Sequence, residues 1–273
     1  MNDIELPIIT RSRLIDDLQR LGVLPGQVVE LHASVKALGW VVGGPDIVLQ
    51  ALLDTLTSEG TLMMLAGWED NPYHFPDWSK EKQKAYLEEC PPFDPATSRA
   101  NRKWSILNEY LRTRPSAQRS AHPEGSFVAI GSLSQWITEN HPIQYGYGPG
   151  SPLAKLCEAG GKVLMLGAPF NSITLLHYAE FLANVPNKRV VNYRMPVLRE
   201  GKRVWINLEE YDTSRGIVDW HGEDYFTVIG REYLLSGKGN SGKVGAAQSY
   251  LFDANDLVKF GIQWMERAFG DSI

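Results

Sequence analysis

Two hydrophobic periods alternate along this chain. Short, nearly continuous apolar runs at 28–33 (VVELHA), 61–66 (TLMMLA), 126–131 (SFVAIG) and 162–168 (KVLMLGA) predict strands. The last is apolar almost throughout, as a central strand buried on both faces requires. Between the runs, apolar residues return every three to four positions. That spacing predicts helices over 10–21, from Gly43-Gly44-Pro45 to about Thr57, over a short piece near 79–89, from about Ser172 to Asn184, and over 254–269. Thr10 or Ser12 is the N-cap expected for the first helix, and Pro45 suits a first turn because its missing N–H has no partner to lose there. The last helix would turn Leu257, Phe260, Gly261, Trp264 and Ala268 inward. Residues 189–198 and 203–208 predict two more strands around Glu200-Gly201. Strand, helix, strand is the order of a parallel crossover unit. The expectation is an α/β fold, a mixed central sheet flanked by helices, in a single domain over 1–273. An irregular lid is expected at 67–100, where Trp, Pro, Tyr and Asp break both periods. A smaller lobe is expected around 185–250.

Composition narrows the function classes. With 43% hydrophobic and 22% charged residues the chain is an ordinary globular one. A net charge of −5 argues against nucleic acid, whose phosphates attract basic surfaces, and tilts towards a cationic partner. Cys90 and Cys157 are the two cysteines. No Cys-x-x-Cys pair is present, so neither a disulfide scaffold nor a zinc site is expected. Reduced thiols and a cytoplasmic location follow as the expectation. The chain begins MNDIELPIIT, with acids where a signal peptide carries bases, and no apolar run approaches the roughly 18 residues of a membrane span. The six histidines show no His-x-x-x-His spacing, so no metal is expected. Both a monomer and a homodimer remain open.

The candidate chemistry begins at 172–181, SITLLHYAEF, which follows a buried strand through a short turn. His177 and Glu180, three residues apart on a helix, share a face. A carboxylate there can accept from one imidazole nitrogen, fix the tautomer and leave the other nitrogen as a proton acceptor, which is a general base. The spacing alone also fits a helix whose His and Glu face solvent. His122 in RSAHPEGS (119–126) precedes a proline that forces it out of helical geometry, in a loop beside a strand. PPFDPATS (91–98) locks polar groups between prolines, and HASVKALGWVVGG (32–44) leads from a strand end to a helix start, where backbone N–H groups favour an anion. A turn histidine bonded to backbone fits the first as well, a plain surface loop fits the second as well, and an ordinary strand-to-helix loop fits the third better.

Taken in order, PPFDPATS, RSAHPEGS, GKVLMLGAPFNSITLLHYAE, VPNKRV and VGAAQSYLFDANDLVKFG resemble the aminoglycoside 3-N-acetyltransferase family, in particular its gentamicin-modifying members, over about residues 10–269. The resemblance implies a fold distinct from that of the histone-acetyltransferase-like superfamily. It implies acetyl-CoA as donor and the 3-amino group of a 2-deoxystreptamine ring as acceptor. The family's base and its orienting partner fall on His177 and Glu180. Its coenzyme-lining segments fall on His32, Ser34, Val35, Lys36 and His122, and more loosely on Thr97 and Ser98. A cationic acceptor should meet carboxylates, for which Glu69, Asp70, Glu124, Asp212, Glu223 and Asp224 are candidates, with Tyr73 packing on a sugar ring. Neither cysteine lies in a catalytic motif, so direct attack in a ternary complex is expected and not an acetyl-enzyme. One alternative keeps the chemistry on a different amine; another is a binding protein without catalysis. A serine hydrolase is disfavoured by the absence of a Gly-x-Ser-x-Gly elbow.

Overall fold

The structure, a computed structural model, describes residues 7–270. The acidic N-terminal residues Asp3 and Glu5, read above against a signal peptide, lie outside the described residues. Thr10 caps α1 (Arg11–Leu21), its hydroxyl accepting the Arg13 N–H at 3.3 Å, and Gly22 ends the helix in the left-handed region at φ 107°. A two-residue parallel ribbon, β1 (Ile8–Ile9) with β3 (Trp40–Val41), closes over one edge.

The main sheet has three parallel strands at its centre: β2 (Val28–Ala33), with β4 (Thr61–Leu65) on one side and β7 (Lys162–Leu166) on the other. The antiparallel β6 (Phe127–Gly131) and β5 (Gln118–Arg119) extend it past β4. Past β7, antiparallel β11 (Ala247–Asp253) and β10 (Asn240–Val244) complete the seven strands. The sheet is therefore mixed, as expected.

Strand alternation divides the core into two layers. Val29, Leu31, Leu62, Met64, Leu164 and Leu166 pack under α1, α2 (Gly44–Leu56) and α4 (Ile106–Arg112). Val28, Met63, Val163 and Met165 face the other layer, with α6 (Pro152–Glu158), α7 (Leu175–Leu182), α8 (Tyr225–Leu235) and α9 (Ala254–Phe269). A short α5 (Ser134–Thr138) follows β6. In α9 the buried residues are Ala254, Leu257, Val258, Gly261, Trp264, Met265 and Phe269, so Ala268 turns outward, contrary to the helical spacing read above. Among the described residues no helix is long and apolar enough to cross a membrane.

The smaller lobe differs from expectation in its membership. β8 (Val190–Arg199) and β9 (Lys202–Tyr211) form a separate antiparallel hairpin, and the 67–100 segment, including α3 (Lys80–Glu89), packs against it. Phe93 bridges to Val197: its N–H reaches Pro196 O, and the Leu198 N–H reaches Phe93 O, both at 2.8 Å. Trp68, Phe93 and Val197 form a small core of their own, with Ile206 against it. Lid and hairpin are thus one unit. Arg119 fastens it to the main sheet by donating to Gly67 O and Ser98 O, one at each end of the segment. Residues 225–250 do not belong to this lobe: α8 joins the main core, and β10 lies at the edge of the main sheet.

Candidate active site

The helix read over 172–184 begins with a 3-10 turn, Phe170–Ser172, and becomes α7 only at Leu175. Its first turn is held from the sheet. By alternation Glu30 and His32 face this layer, and the Thr174 N–H reaches His32 Nε2 at 3.4 Å. That nitrogen lies 3.4 Å from Glu30 Oε1, yet with its lone pair taken it gives Glu30 no proton, and both buried Glu30 oxygens lack a hydrogen-bond partner.

One turn on, His177 Nδ1 lies 2.6 Å from Glu180 Oε2. Glu180 is 1% exposed, while His177 keeps 18% of its side-chain surface open. The carboxylate fixes the proton on Nδ1 and leaves Nε2 as the acceptor. Burial alone would push the His177 pKa down. The charge and hydrogen bond of Glu180, with the charges of Glu210 and Glu124 behind them, outweigh it, and the imidazole is raised above its ordinary value. Tyr147 and Phe226 hold the ring from two sides, with centroids 5.2 and 4.9 Å away.

Two more buried carboxylates act on His177. Glu124 accepts from the Tyr147 hydroxyl at 3.0 Å, and burial lifts its pKa to about 7. Glu210, on β9, takes the Tyr211 N–H on Oε1 at 2.8 Å, and burial lifts it to about 7 as well. Glu210 Oε2 and the Tyr193 hydroxyl are buried without partners. An ammonium group satisfies orphaned acceptors of this kind, since it brings three donors and an opposite charge.

A cleft of about 700 Å³ opens beside His177. Its lining includes Ser34, Lys36, Arg102, Lys103 and Ser105, from the segments after β2 and before α4, together with Glu124, Tyr147, His177 and Thr213. The lining therefore carries both basic and acidic side chains, with Glu124 among the latter.

Of the residues singled out in the sequence, His32, Ser34, Val35, Lys36, Glu124 and His177 line the cleft. Others are engaged elsewhere. His122 is 1% exposed. Its Nδ1 accepts the Gly125 N–H at 2.9 Å, its Nε2–H reaches Ile143 O at 3.1 Å, and burial lowers it to about 4, so it is a neutral core histidine and no coenzyme ligand. Thr97 and Ser98 do not line the cleft either. Their hydroxyls bond Asp94, Thr97 to a carboxylate oxygen at 2.8 Å and Ser98 to the backbone N–H at 2.9 Å, because the prolines fold this stretch on itself. Glu69 pairs with Arg102 at 3.3 Å. Asp70 is exposed and offers its carbonyl to Tyr86. Asp212 Oδ1 closes a turn by accepting from the N–H groups of Ser214 and Arg215, and Tyr73 reaches it at 3.3 Å. Glu223 pairs with Arg231 at 2.7 Å, and Asp224 caps α8 through the Thr227 N–H. Among the described residues no group of three or more His, Cys, Asp or Glu is placed to hold a metal ion.

Arg102, Lys103, Tyr147, Tyr193 and Glu210 escaped the sequence reading. The basic pair in NRKWS was a usable signal. Glu210 was not, because EEY in a strand reads as an ordinary polar edge until the hairpin folds back over α7.

A cleft of mixed charge lined by a histidine that is paired to a buried carboxylate suits a group-transfer enzyme. The aminoglycoside 3-N-acetyltransferase family matches residues 31–266, and the chain belongs to that family. It is 52% identical to an aminoglycoside N(3)-acetyltransferase III of Pseudomonas aeruginosa, over all of this chain and 98% of that one. The fold is similar to the crystal structure of the aminoglycoside acetyltransferase AAC(3)-Xa, at a TM-score of 0.92 and 44% identity over 96% of this chain and 94% of that one. It is also similar to AAC-IIIb in its binary complex with CoASH, at a TM-score of 0.90 and 44% identity over 97% of this chain and 99% of that one.

Proposed function

We propose that this enzyme transfers the acetyl group of acetyl-CoA to the 3-amino group of the 2-deoxystreptamine ring of aminoglycosides, by direct attack in a ternary complex with His177 as general base. The observation that carries this reading is the mixed charge of the cleft lined by His177. Lys36, Arg102 and Lys103 suit the phosphates of the coenzyme, and Glu124, with Glu210 behind it, suits a polyamine. The family match and the relatives' names support the same donor and acceptor.

Proton accounting sets the order of events. The acceptor amine arrives largely protonated, although neighbouring ammonium groups lower its pKa by like-charge repulsion. Placed by the acids, it gives a proton to His177 Nε2, and Glu180 stabilises the imidazolium that forms. The free amine attacks the thioester carbonyl, giving a tetrahedral adduct whose nitrogen is cationic. As the C–S bond breaks, the imidazolium gives its proton to the coenzyme sulfur; the freed imidazole then takes the surplus N–H proton, leaving the neutral amide, and releases it to solvent, so one proton is released per turnover.

A panel of amines assayed for thiol release from acetyl-CoA tests the assignment. Turnover is expected with 2-deoxystreptamine compounds and with acetylation at their 3-amino group. No turnover with any of them sinks it, and turnover confined to other amines would favour the alternative acceptor.

A further inference from the structure

Glu180 has a second partner besides His177. Its Oε2 accepts from His177 Nδ1, and its Oε1 accepts from the hydroxyl of Tyr225, the first residue of α8. That hydroxyl in turn accepts the backbone N–H of Ile217 at 3.3 Å. A phenol has one proton, so with a donor on its lone pair that proton is directed at Glu180. Burial first, and then the charge of Glu180, hold the Tyr225 phenol well above its ordinary pKa, which keeps it a donor.

The surroundings are shaped to this contact. Tyr225 is 6% exposed, and its ring stands edge-on to Phe269 with centroids 5.4 Å apart. Gly216 precedes Ile217 at φ 82°, and a Cβ there would lie 2.8 Å from both Tyr225 Cε1 and the hydroxyl oxygen. Glycine is required twice at this position, for the backbone and for the approach of the ring. The same loop starts at Asp212, which closes its turn, and includes Thr213, which lines the cleft. One line of bonded groups therefore runs from the rim of the cleft through Ile217, Tyr225 and Glu180 to His177.

A buried carboxylate oxygen without a donor is costly, and the group relieves that cost by rotating or by taking up a proton. Either change would release the imidazole. We propose that Tyr225 is a positioning residue of the reaction: it pins the Glu180 carboxylate, keeps His177 Nε2 aimed at the cleft, and ties that alignment to the 212–217 loop. The inference rests on the reading of His177 as the base.

Tyr225→Phe tests it, since the ring and its contact with Phe269 are retained. The charged groups facing His177 are Glu180 on its own helix, Glu124 from the loop after β5 and Glu210 from β9. Of these only Glu180 touches Tyr225. Without the hydroxyl the carboxylate turns away or takes up a proton, and His177 loses the charge that holds its pKa up against burial. The acid limb of kcat/KM should move down by about half a unit or more, and kcat should fall roughly 10-fold, with the KM for acetyl-CoA within about twofold. The downfield proton resonance of His177 Nδ1–H should shift in the variant. An acid limb and an Nδ1–H resonance that both stay at their wild-type positions overturn the proposal. The resonance needs no turnover, so this result is separable from failure of the base assignment, which His177→Ala reads directly.

Discussion

The Tyr147 hydroxyl donates to Glu124 Oε2 at 3.0 Å, while the ring of the same tyrosine lies 5.2 Å from that of His177. One side chain thus orients the Glu124 carboxylate and braces the His177 ring. Tyr147→Phe keeps the brace and removes the donor. It should raise the KM for the aminoglycoside roughly 3- to 10-fold, with kcat changed less, as steady-state kinetics with gentamicin would report. An unchanged KM would mean that Glu124 needs no orientation.

His177→Ala should lower kcat by roughly 10²- to 10⁴-fold, the range for a lost general base, and leave coenzyme binding nearly intact. Because the imidazole is raised above its ordinary value, wild-type kcat/KM should climb with pH through an apparent pKa above the usual value of about 6.5. A rate for the variant within a few-fold of wild type contradicts the assigned role.

Glu124 and Glu210 make stability depend on pH. Each is raised to about 7 in the folded chain, against about 4.3 unfolded. Between those values the folded state binds more protons than the unfolded one, so stability falls as pH rises. His177, also raised, adds loss of the same sign above about pH 6.5. Thermal melts of the ligand-free enzyme should show a decline between about pH 5 and pH 8, on the order of 2–3 kcal/mol from each glutamate. In Glu124→Gln/Glu210→Gln the slope should flatten, and an aminoglycoside added at pH 8 should restore part of the wild-type loss. An identical slope in the double variant would assign the dependence to other groups.

Among the basic residues of the cleft, Lys36→Ala and Lys103→Ala should each raise the KM for acetyl-CoA, by roughly 3- to 20-fold, and weaken its salt dependence. The aminoglycoside KM should move little. Equal effects on both substrates would mean that the cleft is not divided by charge.

Gly131 ends β6 at φ 129°, where a Cβ would meet Gly60 O at 2.1 Å and Thr61 Cα at 2.6 Å. Gly131→Ala combines an unfavourable backbone with overpacking and should destabilise by about 2 kcal/mol or more, measured by urea denaturation. A loss below about 0.5 kcal/mol would show that the neighbouring strand yields freely.

The parts of the fold legible in the sequence were those with unbroken periods. The strands at 28–33, 61–65, 127–131 and 162–166 are apolar because sheet and helices cover both faces, and the Thr10 cap carries its signal in one residue. β10 and β11 were missed because NSGKV and AQSYLFD interleave small and polar residues at the sheet's edge. In the site, His177 and Glu180 were legible because they are local, one turn apart on one helix. Glu210, Tyr193 and Tyr225 depend on contacts between segments distant in sequence. His122 misled for a related reason: a loop histidine beside a proline looks available, and only the packed fold reveals that both its nitrogens are taken.

The hairpin and the 67–100 segment form one unit with its own small core. On the reading proposed above, that unit supplies Glu210 and Tyr193, and the loop leaving it supplies Thr213, while Glu124 and Tyr147 come from the main body, as do Ser34 and Lys36 after β2 and Lys103 before α4. On that reading the acceptor side has a fixed half and an interchangeable half. Antibiotic range can diversify by remodelling the outer unit alone, and an inhibitor that anchors only among the main-body residues would be the harder one to escape.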